Sequence, residues 1–551
     1  MNPLLPWLGA LALALVVGPP ALRRARLSRA KHRSLAGHPR IAKRLARLVP
    51  GYALCARRFF AADGAPDAIA DRRRRGFEAL AERFRHRSPA SQAMLARLAE
   101  GVSDLRFVGR YRVPFPFSRH VRAQLSSGVV LESSSGHTVI DLDGNRFIDL
   151  TGAYGVNVFG NDRYKRWIEA GSRRVAALGP VLGPYHPVIA DNVERLRTLS
   201  GLDEVSFHMS GTEAIMQAVR LARFHTGRTH VVRFAGAYHG WWDDVQPGIG
   251  NPSAPGNVYT LAEMSAATLK VLRTRRDIAC VLVNPLQALH PNANAPGDGS
   301  LVAGVRSAGM DRDAYARWLS ELRDACREAG IVLILDEVFV GFRIARGGAQ
   351  EYFGVDGDLV AYGKTLGGGL PVGVLCGRSQ WMKRFRDDRP ADICFARGTF
   401  NSHPYVLGAM DAFLDWFETE PARALYDDLD ARWNERAARL NTELDEAGLP
   451  VAAANLSSIF TLQYRQPSRY AWMLQFYLNA EGLLLPWVGT GRFLFPIDFG
   501  DDDFDDVVAR FVAAGRAMAD DGWWHGDADP SAIRRRVFRE TMRAALARQS
   551  A

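Results

Sequence analysis

Short apolar runs bounded by charge alternate with helical stripes through much of this chain. Ile331-Val332-Leu333-Ile334-Leu335 is one such run, closed by Asp336 and Glu337, and Val231-Val232-Arg233-Phe234 is another. Aliphatic and β-branched runs of this length predict buried strands. Residues 207–223 open on Ser210-Gly211-Thr212 and continue with Ile215, Val219 and Ala222 on one face, which predicts an amphipathic helix. Toward the end, strands are expected around Val451 to Tyr464 and at Leu483-Leu484-Leu485. The acidic run Asp501–Asp506 should head a helix over Val507–Met518, because acidic side chains suit a helix N-terminus. Residues 291–312, rich in Gly, Asn, Ala and Pro, read as an insertion loop, and no internal repeat is visible.

The front of the chain follows a different pattern. From Met1 to Leu22 there is no charged side chain, and Arg23, Arg24, Arg26, Arg29, Lys31 and Arg33 follow at once. About 20 apolar residues can cross a bilayer, and cations on the C-terminal side would leave the body in the cytoplasm. The expectation is an anchor over residues 1–22. Pro3, Pro6, Pro19 and Pro20 shorten its helical core, so an interfacial segment or a targeting peptide stays open as well. Residues 37–105 read as a separate, basic, helical region. Its stretch Arg40-Ile41-Ala42-Lys43-Arg44-Leu45-Ala46-Arg47-Leu48 fits either a helix packed on the body or one lying on anionic lipid.

Composition narrows the class. The 551 residues, 47% hydrophobic, suffice for two to four domains. Five cysteines without paired short spacing argue against a zinc site or a disulfide framework. The net charge of +11 gathers at the front, with no Asp or Glu between Arg23 and Arg58, yet no nucleic-acid module accompanies it. A membrane surface is the better match, and no nucleic-acid partner is expected.

Candidate chemistry centres on Asp336 and Lys364, 28 positions apart. Asp336 ends a strand, and ligands of open α/β sheets gather at strand carboxyl ends. Lys364 sits in Gly363-Lys364-Thr365-Leu366-Gly367-Gly368-Gly369. A strand-end Asp is most often a turn former, and a loop Lys is most often solvated. Together they suit pyridoxal phosphate chemistry, in which a Lys forms a Schiff base and an Asp keeps the pyridine nitrogen protonated. The Ser210-Gly211-Thr212 helix start offers free N–H groups to a phosphate. Tyr238, in Ala235-Gly236-Ala237-Tyr238-His239-Gly240, could stack on a ring.

These motifs resemble the class III aminotransferases of pyridoxal phosphate fold type I, and most closely the glutamate-1-semialdehyde aminomutase branch. The likeness rests on Asp336 to Gly354, Gly363 to Gly373 and Val139 to Leu150, and it covers roughly residues 105 to 520. It implies an α/β fold with a large doubly wound, mostly parallel sheet domain, a smaller α+β domain and pyridoxal 5′-phosphate as cofactor. By the same resemblance Lys364 and Asp336 are catalytic. Ser210, Gly211, Thr212, Tyr238, His239, Gln287 and Val338 join them as cofactor-binding residues. Thr399, in Gly398-Thr399-Phe400-Asn401, would serve a neighbouring subunit's phosphate, which implies a homodimer with shared active sites. Two departures bear on specificity. Asn284-Pro285-Leu286-Gln287-Ala288-Leu289 stands where the family has Glu-Pro-Val-x-Gly-Asn, and Asn401-Ser402-His403 stands where Ser-Gly-Asn is usual.

The expected domains are an anchor at 1–22, a basic helical and membrane-associated extension at 23–104 and an N-terminal segment at 105–150. A cofactor domain at 151–410, a small domain at 411–525 and a tail at 526–551 follow. The expected function is amino transfer to a carbonyl substrate, either a small molecule or an acyl chain, lipid-like or carrier-bound. An aminomutase and a non-catalytic membrane-tethered scaffold are the alternatives. No metal is expected.

Overall fold

Seven strands, two of them the apolar runs at 231–234 and 331–335, assemble into one sheet in this computed structural model, which describes residues 19–105, 113–254, 256–286, 311–486, 491–526 and 529–549. The strands are β1 (Glu204–His208), β2 (His230–Phe234), β3 (Val258–Leu261), β4 (Ile278–Val283), β5 (Val332–Asp336), β6 (Leu359–Gly363) and β7 (Gly373–Gly377). Their order is β1-β7-β6-β5-β4-β2-β3. The strands from β6 through to β3 run parallel, whereas β7 is antiparallel to both β1 and β6. Only residues 364–372 separate β6 from β7, too few for the crossover that a parallel neighbour requires. The sheet is therefore mixed.

Strand periodicity divides the side chains between two cores. Cys280, Leu282, Val332 and Ile334 face the helix Gly211–Thr226 through its Ile215, Ala218 and Val219. Val281, Val283, Leu333 and Leu335 belong to the larger cluster with Tyr315 and Trp318 of the helix Arg312–Ala329. Covering both faces explains why these strands read as continuous apolar runs. Full burial of each such side chain contributes about 1.5–3 kcal/mol.

Two smaller sheets complete the body. Leu131–Ser135, Thr138–Asp141 and Arg146–Asp149 form a meander that Leu483–Leu484 joins in parallel, so the segment before residue 150 shares a sheet with the C-terminal part. Val451–Leu456, Ile459–Tyr464 and Arg492–Leu494 form an antiparallel sheet. The acid-headed helix is present and spans Asp501–Asp520.

Residues 23–104, read from sequence as a region of their own, send several side chains from Leu54 to Phe84 into the main core. Phe59 and Phe77 are buried against each other, and Phe59 also meets Phe117 and Trp472 edge-on. Arg73, on the helix Asp67–Arg87, is fully buried. It forks onto Asp63 at 2.7 and 2.9 Å and donates to the Gly522 carbonyl at 2.8 Å. The helix Pro530–Gln549 presents Glu540 to Arg469, with two bonds of 3.0 Å, and to the Tyr52 hydroxyl at 3.1 Å.

The anchor expected over residues 1–22 lies outside the described residues except for its last four, which begin a helix running through residue 30. Among the described residues, no helix is long and apolar enough to cross a membrane. Gln287 and most of the expected insertion loop also lie outside the described residues.

Candidate active site

Because β5 and β6 are parallel neighbours, with Asp336 opposite Ala361, their carboxyl ends lie side by side. Asp336 is the last residue of β5, and Lys364 follows β6 directly. The backbone of Lys364 is left-handed, with φ 51°. A residue with a Cβ is held there at a cost of order 1 kcal/mol, and such strain concentrates at functional sites. Its amine lies 4.4 Å from the centre of the Phe339 ring. Burial pushes this amine down to about 8. The Arg343 and Arg492 guanidiniums act in the same direction, and the Asp336 carboxylate acts against them. Near neutrality the uncharged, nucleophilic form of Lys364 is thus far more populated than it would be for a solvated lysine.

Asp336 is buried, and its Oδ2 lies 2.7 Å from Nδ1 of the equally buried His239. Its other oxygen accepts from the Val338 N–H at 3.2 Å. Burial lowers the His239 pKa, so the ring is neutral and donates from Nδ1 to the carboxylate. Nε2 of His239 is then a buried acceptor without a partner among the described residues.

The helix Gly211–Thr226 points its N-terminus at the same edge. Ser210 caps it by accepting from the Glu213 N–H, while Glu213 reaches back to the Met209 N–H at 2.9 Å. This reciprocal capping leaves the N–H groups of Gly211 and Thr212 without intrahelical partners. Space around them is tight. A Cβ on Gly211 would meet Val338 Cγ1 at 2.7 Å, and one on Gly240 would meet Thr212 Oγ1 at 2.5 Å. Gly240 also has φ +93°, which side chains rarely adopt.

The other expected residues are placed less tightly. Tyr238 follows β2 with its side chain more than half exposed, and partial burial, with a further contribution from the Asp336 charge, raises its pKa. Thr399 lies in an exposed turn with Gly398 and Phe400. Three residues gain importance only in three dimensions: Phe339, under the lysine amine; Arg343, fully buried and donating to the Asn157 and Phe495 carbonyls; and Arg492, with its guanidinium 5.6 Å from the Phe339 ring. Arg492 lies on a short strand far along the chain, and no spacing in the sequence links it to Lys364.

A buried carboxylate, a nucleophilic amine and a helix N-terminus gathered at one sheet edge fit a flat cationic ring that carries a phosphate. Gly211 lets the helix start pack closely on Val338, and Gly240 lets the loop after β2 pack closely on Thr212. The comparisons agree with this class. Residues 120–512 match the family model described as aminotransferase class-III. The chain belongs to that family, and its cofactor is pyridoxal 5′-phosphate.

Among its relatives is the glutamate-1-semialdehyde 2,1-aminomutase of Geotalea daltonii. It is 29% identical over 448 residues, covering 76% of this chain and 99% of the relative. The enzyme of the same name from Hydrogenobaculum sp. is 30% identical over 410 residues, covering 68% and 89%. Among solved structures, a transaminase with PLP bound matches with TM-score 0.62 at 25% identity, covering 78% of this chain and 98% of its own. A glutamate-1-semialdehyde aminomutase from Pseudomonas aeruginosa PAO1 matches with TM-score 0.65 at 19% identity, covering 82% and 99%, a likeness of fold.

Proposed function

We propose that this chain moves an amino group onto a carbonyl substrate, with Lys364 as the cofactor-bearing and proton-carrying residue. The observation that carries the reading is the pairing of an amine depressed to about 8 with the buried Asp336 carboxylate at one sheet edge. When bound, pyridoxal phosphate supplies a ring that accepts the electrons left on a carbon losing its proton. Asp336, oriented by His239, holds a proton at the ring nitrogen. The N–H groups of Gly211 and Thr212, with the Ser210 and Thr212 hydroxyls, hold the phosphate. Val338 supports one ring face and Tyr238 the other, while Gln287 is assigned to the ring hydroxyl. With cofactor and substrate bound, the Lys364 Nζ would carry the proton between the substrate carbon and the cofactor carbon C4′.

Residues 151–410 carry this machinery in our assignment, and residues 411–525 form the smaller domain. Thr399 reaches the cofactor phosphate of a second copy. Its exposure here, with that of Phe400, Phe395 and Trp241, supports a homodimer with shared sites. Acyl-chain carbonyls belong in the acceptor screen because the first 22 residues are uncharged.

The second reading, an aminomutase, is favoured by the names of the relatives at about 30% identity. The two differ in whether a separate donor is consumed. Incubation with a ¹⁵N-labelled amino donor and a panel of carbonyl acceptors tests this. Label in the aminated product supports transfer. Isomerised product without label supports the mutase. Turnover that persists in Lys364→Ala would refute both.

A further inference from the structure

We propose that the helix Pro39–Leu48 is a docking surface for anionic lipid. Two parallel ridges define it. Ile41, Leu45 and Leu48 recur at i, i+4 and i+7 and are 50%, 43% and 74% exposed, so the apolar stripe of this helix faces away from the body. Arg40, Arg44 and Arg47 form an equally spaced ridge one residue earlier, and all three are exposed. A helix that served only to pack on the body would bury the first ridge.

The helix is nevertheless held in place. Ala42 is buried, and the Lys43 amine donates to the Ser253 carbonyl at 2.5 Å. Just upstream, Lys31 bridges Leu261 of the edge strand β3, and the Ala262 N–H donates to the Ala30 carbonyl at 2.9 Å. The ridges are thus presented from a fixed site.

Charge selects the occupant. Asp63 is the first acidic residue of the chain, and twelve of its 70 Lys and Arg precede it. The first 62 residues therefore account for all of the net charge of +11, and the rest of the protein is close to neutral. An exposed apolar ridge beside an exposed cationic ridge, in a stretch without acids, matches a headgroup layer that is anionic outside and apolar beneath. A second copy of this chain would bring the same cations against themselves.

The test uses the full-length protein with Cys55→Ser and Leu48→Cys. The other four cysteines are buried, so a polarity-sensitive fluorophore reports residue 48. Vesicles of phosphatidylcholine mixed with phosphatidylglycerol should shift its emission to the blue and allow quenching by brominated lipid. Phosphatidylcholine alone should do so far less. High salt, or Arg40→Gln with Arg44→Gln and Arg47→Gln, should weaken the effect about a hundredfold in lipid concentration. A label that stays in water while the protein co-sediments with anionic vesicles would overturn the proposal. So would a label already shielded without lipid in a dimer that Leu45→Glu converts to monomer.

Discussion

The His239 ring donates to the Asp336 carboxylate at 2.7 Å, with both side chains buried at the carboxyl edge of the sheet. The pair joins a loop after β2 to the end of β5, and it fixes the direction in which the free lone pairs of the carboxylate point. Asp336→Asn should fold with near-normal stability and lose roughly 10²–10³-fold in kcat, because an amide cannot hold a proton at the ring nitrogen. His239→Gln acts through Asp336 and should cost about 10–100-fold. Steady-state kinetics alongside cofactor titration separates these losses from weaker cofactor binding. A near-normal rate in Asp336→Asn would remove the proposed role.

Capture of cofactor by the apo protein should depend on pH through Lys364. Its amine is depressed to about 8, so the reactive neutral form grows as pH rises through 8 and the rate levels off above it. Arg492→Leu removes one of the cations that lower this pKa, and the inflection should move to higher pH. Stopped-flow absorbance at the cofactor band measures both. An inflection that does not move would mean that Arg492 does not act on the amine.

Borohydride reduction of the loaded protein should leave the cofactor on the peptide that contains Lys364. Lys364→Ala should lose both the covalent link and turnover while still taking up cofactor non-covalently. Mass spectrometry of the digested protein checks this, and an adduct on another lysine refutes the assignment.

Mixed dimers offer a test of Thr399. Lys364→Ala and an impaired Thr399 variant are each inactive alone, but hybrid dimers should regain part of the activity, since one composite site is intact. Verified hybrids without activity would confine Thr399 to its own chain or to no role.

The front of the chain should prove structural from Phe59 onward. Arg73→Met strands the Asp63 carboxylate in a nearly water-free site and should cost about 3–5 kcal/mol. Phe59→Ala should cost a similar 3–5 kcal/mol through the cavity it leaves. Chemical denaturation reads both. Deletion of residues 1–22 should leave the melting transition in place, whereas deletion through residue 87 should abolish it.

Two strands of the central sheet, His230–Phe234 and Val332–Asp336, were legible in the sequence because burial on both faces demands apolar runs. Ser210-Gly211-Thr212 and Gly363-Lys364 were legible because a helix start and a tight turn impose local chemistry on neighbouring residues. Those signals also determined the family and its cofactor. What the sequence could not carry were relations between residues far apart in the chain: the Arg73 fork joining residues near 63 and 522, the pairing of Leu483–Leu484 with Arg146–Asp149, and Arg492 beside Phe339 and Lys364. Nor could spacing say which way the stripe of Pro39–Leu48 faces, because periodicity defines a face and only the neighbouring surface decides whether that face is covered. Propensity and capping act over a few residues. The partners of a buried charge and the orientation of an amphipathic helix depend on packing of the whole chain, and so were decided by the tertiary structure.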